Sequence, residues 1–351
     1  MNLLILGGTR FLGRHTAEAA LAAGHRVTVF HRGKTGATLF PNAEHLIGDR
    51  ARDLHLLEAR QWDAVVDTSG YLPGVVRESA ERLRPQVGHY VFVSSISAYA
   101  DLTAPGLDES APLSMLTPEQ RKQAESFDRS EPRNSPDFLP LYGALKTACE
   151  DVVQEIFGER CAIVRPGLII GPDDYMDRFP YWVSRIAAGG DVLAPGRPDR
   201  LLQVIDSRDI GAWMVRLAGN RTPGAFNTTG PSVPIPFVQV LEACRAASGS
   251  DARFVWVDDA FLLAREVGPW EEMPLWIPTG VEGFPAGFLQ VDVRRAVAAG
   301  LTFRPLVESA RDTLVWERTR PAEAPRRAGL GREKERALLE AWKSEAQAGR
   351  A

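Results

Sequence analysis

Five short apolar runs punctuate the first 95 residues, and their spacing constrains the fold more than any other feature. They are "NLLIL" (2–6), "RVTVF" (26–30), "HLI" (45–47), "DAVVD" (63–67) and "HYVFVSS" (89–95), recurring about every 20 residues. Continuous apolar runs of this length suit strands covered on both faces, as in a parallel sheet. Helix-like segments lie between them. "RHTAEAALAAG" (14–24) has a helical period and closes on Gly24, a helix C-terminal signal. The order βαβαβ predicts an α/β fold built on a doubly wound parallel sheet of the Rossmann type.

The 351 residues are 44% hydrophobic, enough for one large α/β unit or two intimate domains. A net charge of −4 leaves no global positive field, so nucleic acid is not an expected partner without a local basic patch. The three cysteines, Cys149, Cys161 and Cys244, form no CxxC pair, and their odd number argues against a disulfide framework. No metal-ligand set is expected. The opening "MNLLILGG" lacks a basic flank, and no stretch approaches the roughly 20 apolar residues of a membrane span. A soluble cytoplasmic protein with a small-molecule substrate is the expectation.

Residues 101–139 break the alternation with a polar, Pro-rich stretch, read as an insertion over an active-site mouth or a plain surface excursion. A helical pattern over 141–158 and the run "CAIVRPG" (161–167) resume it. The expected division is a nucleotide-binding domain over 1–167, with 201–229 returning to it, and a smaller substrate-binding region over 168–200 and 230–320. A helical tail over 321–351 carries a narrow apolar stripe, Leu338, Leu339 and Trp342, suited to docking on the body or on a partner chain. The aromatics Tyr175, Phe179, Tyr181, Trp182, Trp256, Trp270 and Trp276 mark the second region, as core or as ligand contacts.

"GGTRFLG" (7–13) follows the first run directly and precedes the first helical pattern. A Gly-rich turn there lets backbone approach a pyrophosphate, and the helix behind it offers free N–H groups and its positive dipole end. Gly7 suits the tight turn and Gly13 close helix–strand packing. After the second run a carboxylate usually accepts from an adenosine ribose hydroxyl. Here stand His31, Arg32 and Lys34, with no carboxylate until Glu44. An arginine pairs with a 2′-phosphate and stacks on adenine, so NADP is preferred over NAD. Arg10 is a further cation for that phosphate. Asp49, after the third run, suits an adenine amino group or the N-cap of the next helix.

"YGALK" places Tyr142 and Lys146 at i and i+4, roughly 5–6 Å apart on one helical face. A free phenol, with a pKa near 10, is a poor base at neutral pH. A neighbouring ammonium favours its ionised form. "FVSSISAY" puts Ser94, Ser95 and Ser97 at the end of the fifth run, where open α/β sheets bind ligands.

Together these segments resemble the short-chain dehydrogenase/reductase superfamily, in its extended, NAD(P)-dependent epimerase/dehydratase branch. The resemblance covers roughly 1–317 and rests on GGTRFLG, DTSGY (67–71), SSISAY (94–99), YGALK (142–146), RPGLIIGPDD (165–174) and QVIDSRDIG (203–211). It implies a hydride-transferring oxidoreductase or epimerase acting on a carbinol or carbonyl carbon, with nucleotide sugars among its substrates. Tyr142 would be the acid/base, Lys146 would hold the nicotinamide ribose, and Ser95 would complete the catalytic set. The implied cofactor set is the turn (Gly7, Thr9, Arg10, Phe11, Leu12, Gly13), then Arg32, Asp49, Arg50 and Ser69, then Lys146, Arg165 and Pro166. The substrate would meet Ser95, Tyr142 and Arg178. A homodimer through helices of the cofactor domain is the family default.

Two features depart from the family pattern. Arg10 stands where the loop usually has its middle glycine, a variant that resembles an atypical sub-branch including plastid stem-loop RNA-binding proteins. The serine-to-tyrosine interval is lengthened by 101–139. The alternative to an enzyme is therefore a catalytically altered, dehydrogenase-like scaffold that binds RNA or protein. Its candidate basic patch, "RPAEAPRR" (320–327), is short and interrupted by acids.

Overall fold

Successive residues of the first strand feed two different hydrophobic cores. In the computed structural model, β1 (Asn2–Leu6) sends Leu3 and Ile5 to one face of a sheet and Leu4 and Leu6 to the other. The structure describes residues 1–278, 285, 287–321 and 323–348. Parts of the expected second region (279–284 and 286) and of the tail (322 and 349–351) lie outside the described residues.

The sheet has seven strands. They are β1, β2 (Arg26–His31), β3 (Glu44–Ile47), β4 (Trp62–Asp67), β5 (Val87–Val93), β6 (Cys161–Pro166) and β7 (Gly224–Thr228). Their spatial order is β7-β6-β5-β4-β1-β2-β3, and every pair is parallel. The expected doubly wound Rossmann sheet is the observed one. Its strand order reverses between β1 and β4, which opens a crevice beyond their carboxyl ends.

One face is covered by α1 (Phe11–Ala22) and by the long helix Ser207–Asn220, through Ala17, Ala20, Ile210, Trp213 and Met214. The other is covered by α2 (Pro73–Leu83) and α3 (Phe138–Phe157), through Val76, Ala80, Leu83, Cys149 and Val153. This two-sided cover explains the unbroken apolar runs. Each fully buried Leu or Ile contributes about 1.5–3 kcal/mol.

A separate core organises the second region. Phe179, Trp182 and Trp276 are buried in it, so these aromatics are packing residues. A parallel pair, Asp191–Pro195 with Arg253–Val257, forms its small sheet. The tail helix α4 (Arg332–Ala348) lays Leu338 and Leu339 into this core, and Trp342 meets Phe261 edge-on at 4.9 Å. Glu335 completes the docking from a buried position, 2.6 Å from Arg185 Nε and accepting from the Leu193 N–H. The tail therefore packs on its own chain.

Residues 101–139 fold against the body. Thr117 and Gln120 form a reciprocal capping box for the helix Pro118–Glu125. Leu116, Ala124 and Phe127 pack with Leu72, Val75 and Leu141 of the α2–α3 side. Leu102 joins Val291 and Val293.

Candidate functional site

The glycine turn lies at the switch point between β1 and β4. Gly7 has φ +104°, and a Cβ on it would stand 2.4 Å from the Thr68 hydroxyl and 3.6 Å from Ser69 Cβ. Ser69 therefore flanks the turn from the end of β4, with its backbone N–H donating to Asp67. A Cβ on Gly13 would lie 2.7 Å from the Gly8 nitrogen, so the helix can approach the turn this closely only without a side chain. No side chain caps the N-terminus of α1, which leaves its first N–H groups aimed at the crevice. These features fit a dinucleotide pyrophosphate.

The other turn residues divide by role. Leu12 belongs to the core, and Phe11 packs against His15 and Tyr175. The Thr9 hydroxyl lies 3.2 Å from that of Thr35. The Arg10 guanidinium stacks on the Tyr175 ring at 3.8 Å. Arg32, just past β2, donates instead to the Ser130 carbonyl at 2.6 Å and to Glu131 at 2.7 Å. The two arginines therefore hold different partners and share no contact in this arrangement. Asp49 accepts from the Ala51 N–H at 2.9 Å, fixing the turn after β3.

Two expected cofactor ligands turn inward. Arg50 spends its donors on Asp67 at 2.7 Å and on the Ser79 hydroxyl at 2.6 Å and 3.0 Å. Burial tends to raise the Asp67 pKa, but Arg50 and the Tyr90 hydroxyl more than offset it, and the carboxyl titrates below its usual range. Arg165 binds Glu150 through Nε and Nη2 and donates to the Tyr99 hydroxyl at 3.0 Å. Both form buried ion pairs that lock the sheet to its helices. Pro166 is buried at the end of β6, in register with Thr228. Arg178 opens a helix of the second region, with its guanidinium 5.6 Å from the Trp270 ring.

Ser95, Tyr142 and Lys146 converge beyond β5. The helix carrying the last two is pressed onto the serine loop: a Cβ on Gly143 would stand 2.0 Å from the Ser97 carbonyl, and the Thr147 hydroxyl donates to Ala98. Burial pushes the Tyr142 phenol above the ordinary tyrosine range and Tyr71 adds to this, while a hydrogen bond with Ser95 and the Arg133 charge oppose it. Lys146 is buried, and its Nζ donates to the carbonyls of Gly70 at 2.7 Å and Val93 at 2.6 Å. Burial lowers its pKa, against the pull of Cys149, Asp67 and Glu150. The ammonium thus ties the segments that follow β4 and end β5 together.

Three further residues reach this site. Arg133, from the 101–139 segment, donates to the Tyr175 hydroxyl at 3.0 Å and lies 5.7 Å from the Tyr71 ring. Tyr71 lies within DTSGY, and Tyr175 is one of the aromatics read as core or ligand contacts; the structure places both beside Arg133. Nothing local in the sequence singled out Arg133.

Comparison with known proteins bears on the fold that carries these residues. Residues 3–84 match the model of the NAD dependent epimerase/dehydratase family. The chain is 26% identical over 273 residues to the chloroplast stem-loop binding protein of 41 kDa b from Arabidopsis thaliana, across 71% of this chain; it spans 63% of that relative's length. Its fold is similar to that of the Bordetella bronchiseptica enzyme WbmH in complex with NAD+ (TM-score 0.63, 18% identity, 91% of this chain and 98% of that one). It is also similar to UDP-N-acetylglucosamine 4-epimerase from Bacillus cereus (TM-score 0.64, 14% identity, 93% and 99%). A third is the dTDP-glucose 4,6-dehydratase of Bacillus anthracis str. Ames (TM-score 0.61, 14% identity, 91% and 96%). Residues 3–84 of the chain are thus similar to the NAD dependent epimerase/dehydratase family, and its fold as a whole is similar to that of these epimerase and dehydratase structures.

Proposed function

We propose that this protein is an NAD(P)-dependent oxidoreductase or epimerase acting on a carbinol or carbonyl carbon, with nucleotide sugars as the leading substrate class. The carrying observation is the joint placement of Ser95, Tyr142 and Lys146 beside the glycine turn at the switch point. The bound nicotinamide would accept or supply the hydride. Tyr142 holds or moves the proton at the substrate oxygen, and the Ser95 hydroxyl orients that oxygen. Lys146 braces the strand ends and holds the nicotinamide ribose. Gly7, Ser69 and the N-terminus of α1 receive the pyrophosphate, while Arg32 and Lys34 receive a 2′-phosphate, which makes NADP the preferred cofactor. Residues 1–167 with 201–229 act as the cofactor domain. Residues 168–200 and 230–320 act as the substrate region, with Arg178 facing the substrate. The protein works in the cytoplasm, as a homodimer through helices of the cofactor domain.

Incubation with a panel of UDP- and dTDP-sugars and either nicotinamide cofactor tests the reading. Turnover that Tyr142→Phe removes supports it. Full activity of that variant on a true substrate refutes the assignment of the tyrosine.

One observation favours a second reading. The Arabidopsis relative is named for stem-loop binding, which keeps an RNA-binding scaffold as the alternative. RNA retention that falls steeply with salt is its signature, and the net charge of −4 weighs against it.

A further inference from the structure

Glu131, in the 101–139 segment, sits with one carboxylate oxygen 2.7 Å from Arg32 Nη1 and 2.7 Å from Lys34 Nζ. Arg32 also donates to the neighbouring Ser130 carbonyl. These two cations are the positive side chains that follow β2, next to the strand that carries the glycine turn. They are separated from Glu131 by 99 and 97 positions in the sequence, so the contact is made by the fold. The carboxylate titrates below its usual range, chiefly through its hydrogen bond with Lys34, with Arg32 adding to it and burial opposing.

We infer that Glu131 is a specificity-determining residue that holds the place of the 2′-phosphate of an adenosine dinucleotide. The inference rests on the dinucleotide reading above and adds a residue to it. A carboxylate and a phosphate compete for the same donors on Arg32 and Lys34. A 2′-phosphorylated ligand must displace Glu131 or suffer its charge. A ligand with a free 2′-hydroxyl brings no such charge and leaves the two ion pairs standing. Glu131 therefore lowers affinity for NADP, leaves affinity for NAD nearly alone, and narrows the NADP preference that Arg32 and Lys34 create. The chain discriminates through a residue outside the strand–turn–helix unit that binds the rest of the nucleotide.

Calorimetric titration of the full chain with NADP and with NAD tests this. Exposed ion pairs are individually weak, so Glu131→Gln should tighten NADP by about fivefold and leave NAD within about twofold. Adding Arg32→Gln to that variant should cancel the gain, which guards against a general loosening of the segment. Equal tightening of both nucleotides, or unchanged or weaker NADP binding, overturns the assignment of Glu131. Failure of wild type and variants to bind either nucleotide has a different signature: it overturns the dinucleotide reading, and this inference with it.

Discussion

Arg133 Nη1 donates to the Tyr175 hydroxyl at 3.0 Å. The bond ties the 101–139 segment to the loop after β6, beside the ring on which Arg10 stacks. The polar segment thereby packs beside the candidate site, and the same guanidinium places a positive charge near Tyr71 and Tyr142.

Removing that charge should affect catalysis more than folding. Arg133→Ala is expected to lower kcat/KM by about tenfold, the scale of one hydrogen bond to a charged group. Its thermal midpoint should stay close to wild type. Arg133→Lys should restore part of the loss, because charge returns without the planar fork. Steady-state kinetics with a melting curve of each variant checks both.

The glycine turn should tolerate no added methyl group at Gly13. A Cβ there would stand 2.7 Å from the Gly8 nitrogen and 2.9 Å from Gly8 Cα. The backbone must shift, at a cost of about 1–3 kcal/mol. Gly13→Ala should lower the denaturant midpoint and weaken NAD and NADP together, measured by chemical unfolding and titration.

The sequence carries a local signal for the glycine turn and none for Arg133. The turn was readable because strand, glycines and helix are adjacent along the chain. The doubly wound sheet was readable for the same reason, since apolar runs and helical periods repeat locally. Arg50 and Arg165 were expected to face the cofactor, but each lies in a buried ion pair, with Asp67 and with Glu150. A sequence announces an arginine and leaves its carboxylate partner to the tertiary fold. Arg133 and Glu131 carry no local signal, because their partners lie far away in the chain and the segment carrying them has no periodicity.

Stability should fall in mild acid through His89. This histidine is 1% exposed on β5, and its Nε2 has no hydrogen-bond partner among the described residues. Burial lowers its pKa to about 4; a backbone hydrogen bond with Thr222 opposes this, and Arg221 and Arg160 add to it. The unfolded imidazole takes a proton near pH 6.5. Between pH 6.5 and about 4 the unfolded chain therefore binds more protons than the folded one, and stability declines as pH falls. His89→Gln should flatten the thermal midpoint across that window. An unchanged slope would assign the acid sensitivity to other groups.

Tyr142 is the residue on which the proposed proton transfer depends. With a nucleotide sugar that the wild type turns over, Tyr142→Phe should lower kcat by about 10²–10⁴-fold, the usual worth of a positioned acid/base. The affinity of the variant for NAD or NADP should stay at the wild-type value. A Tyr142→Phe protein that retains wild-type kcat on that substrate rules out Tyr142 as the acid/base.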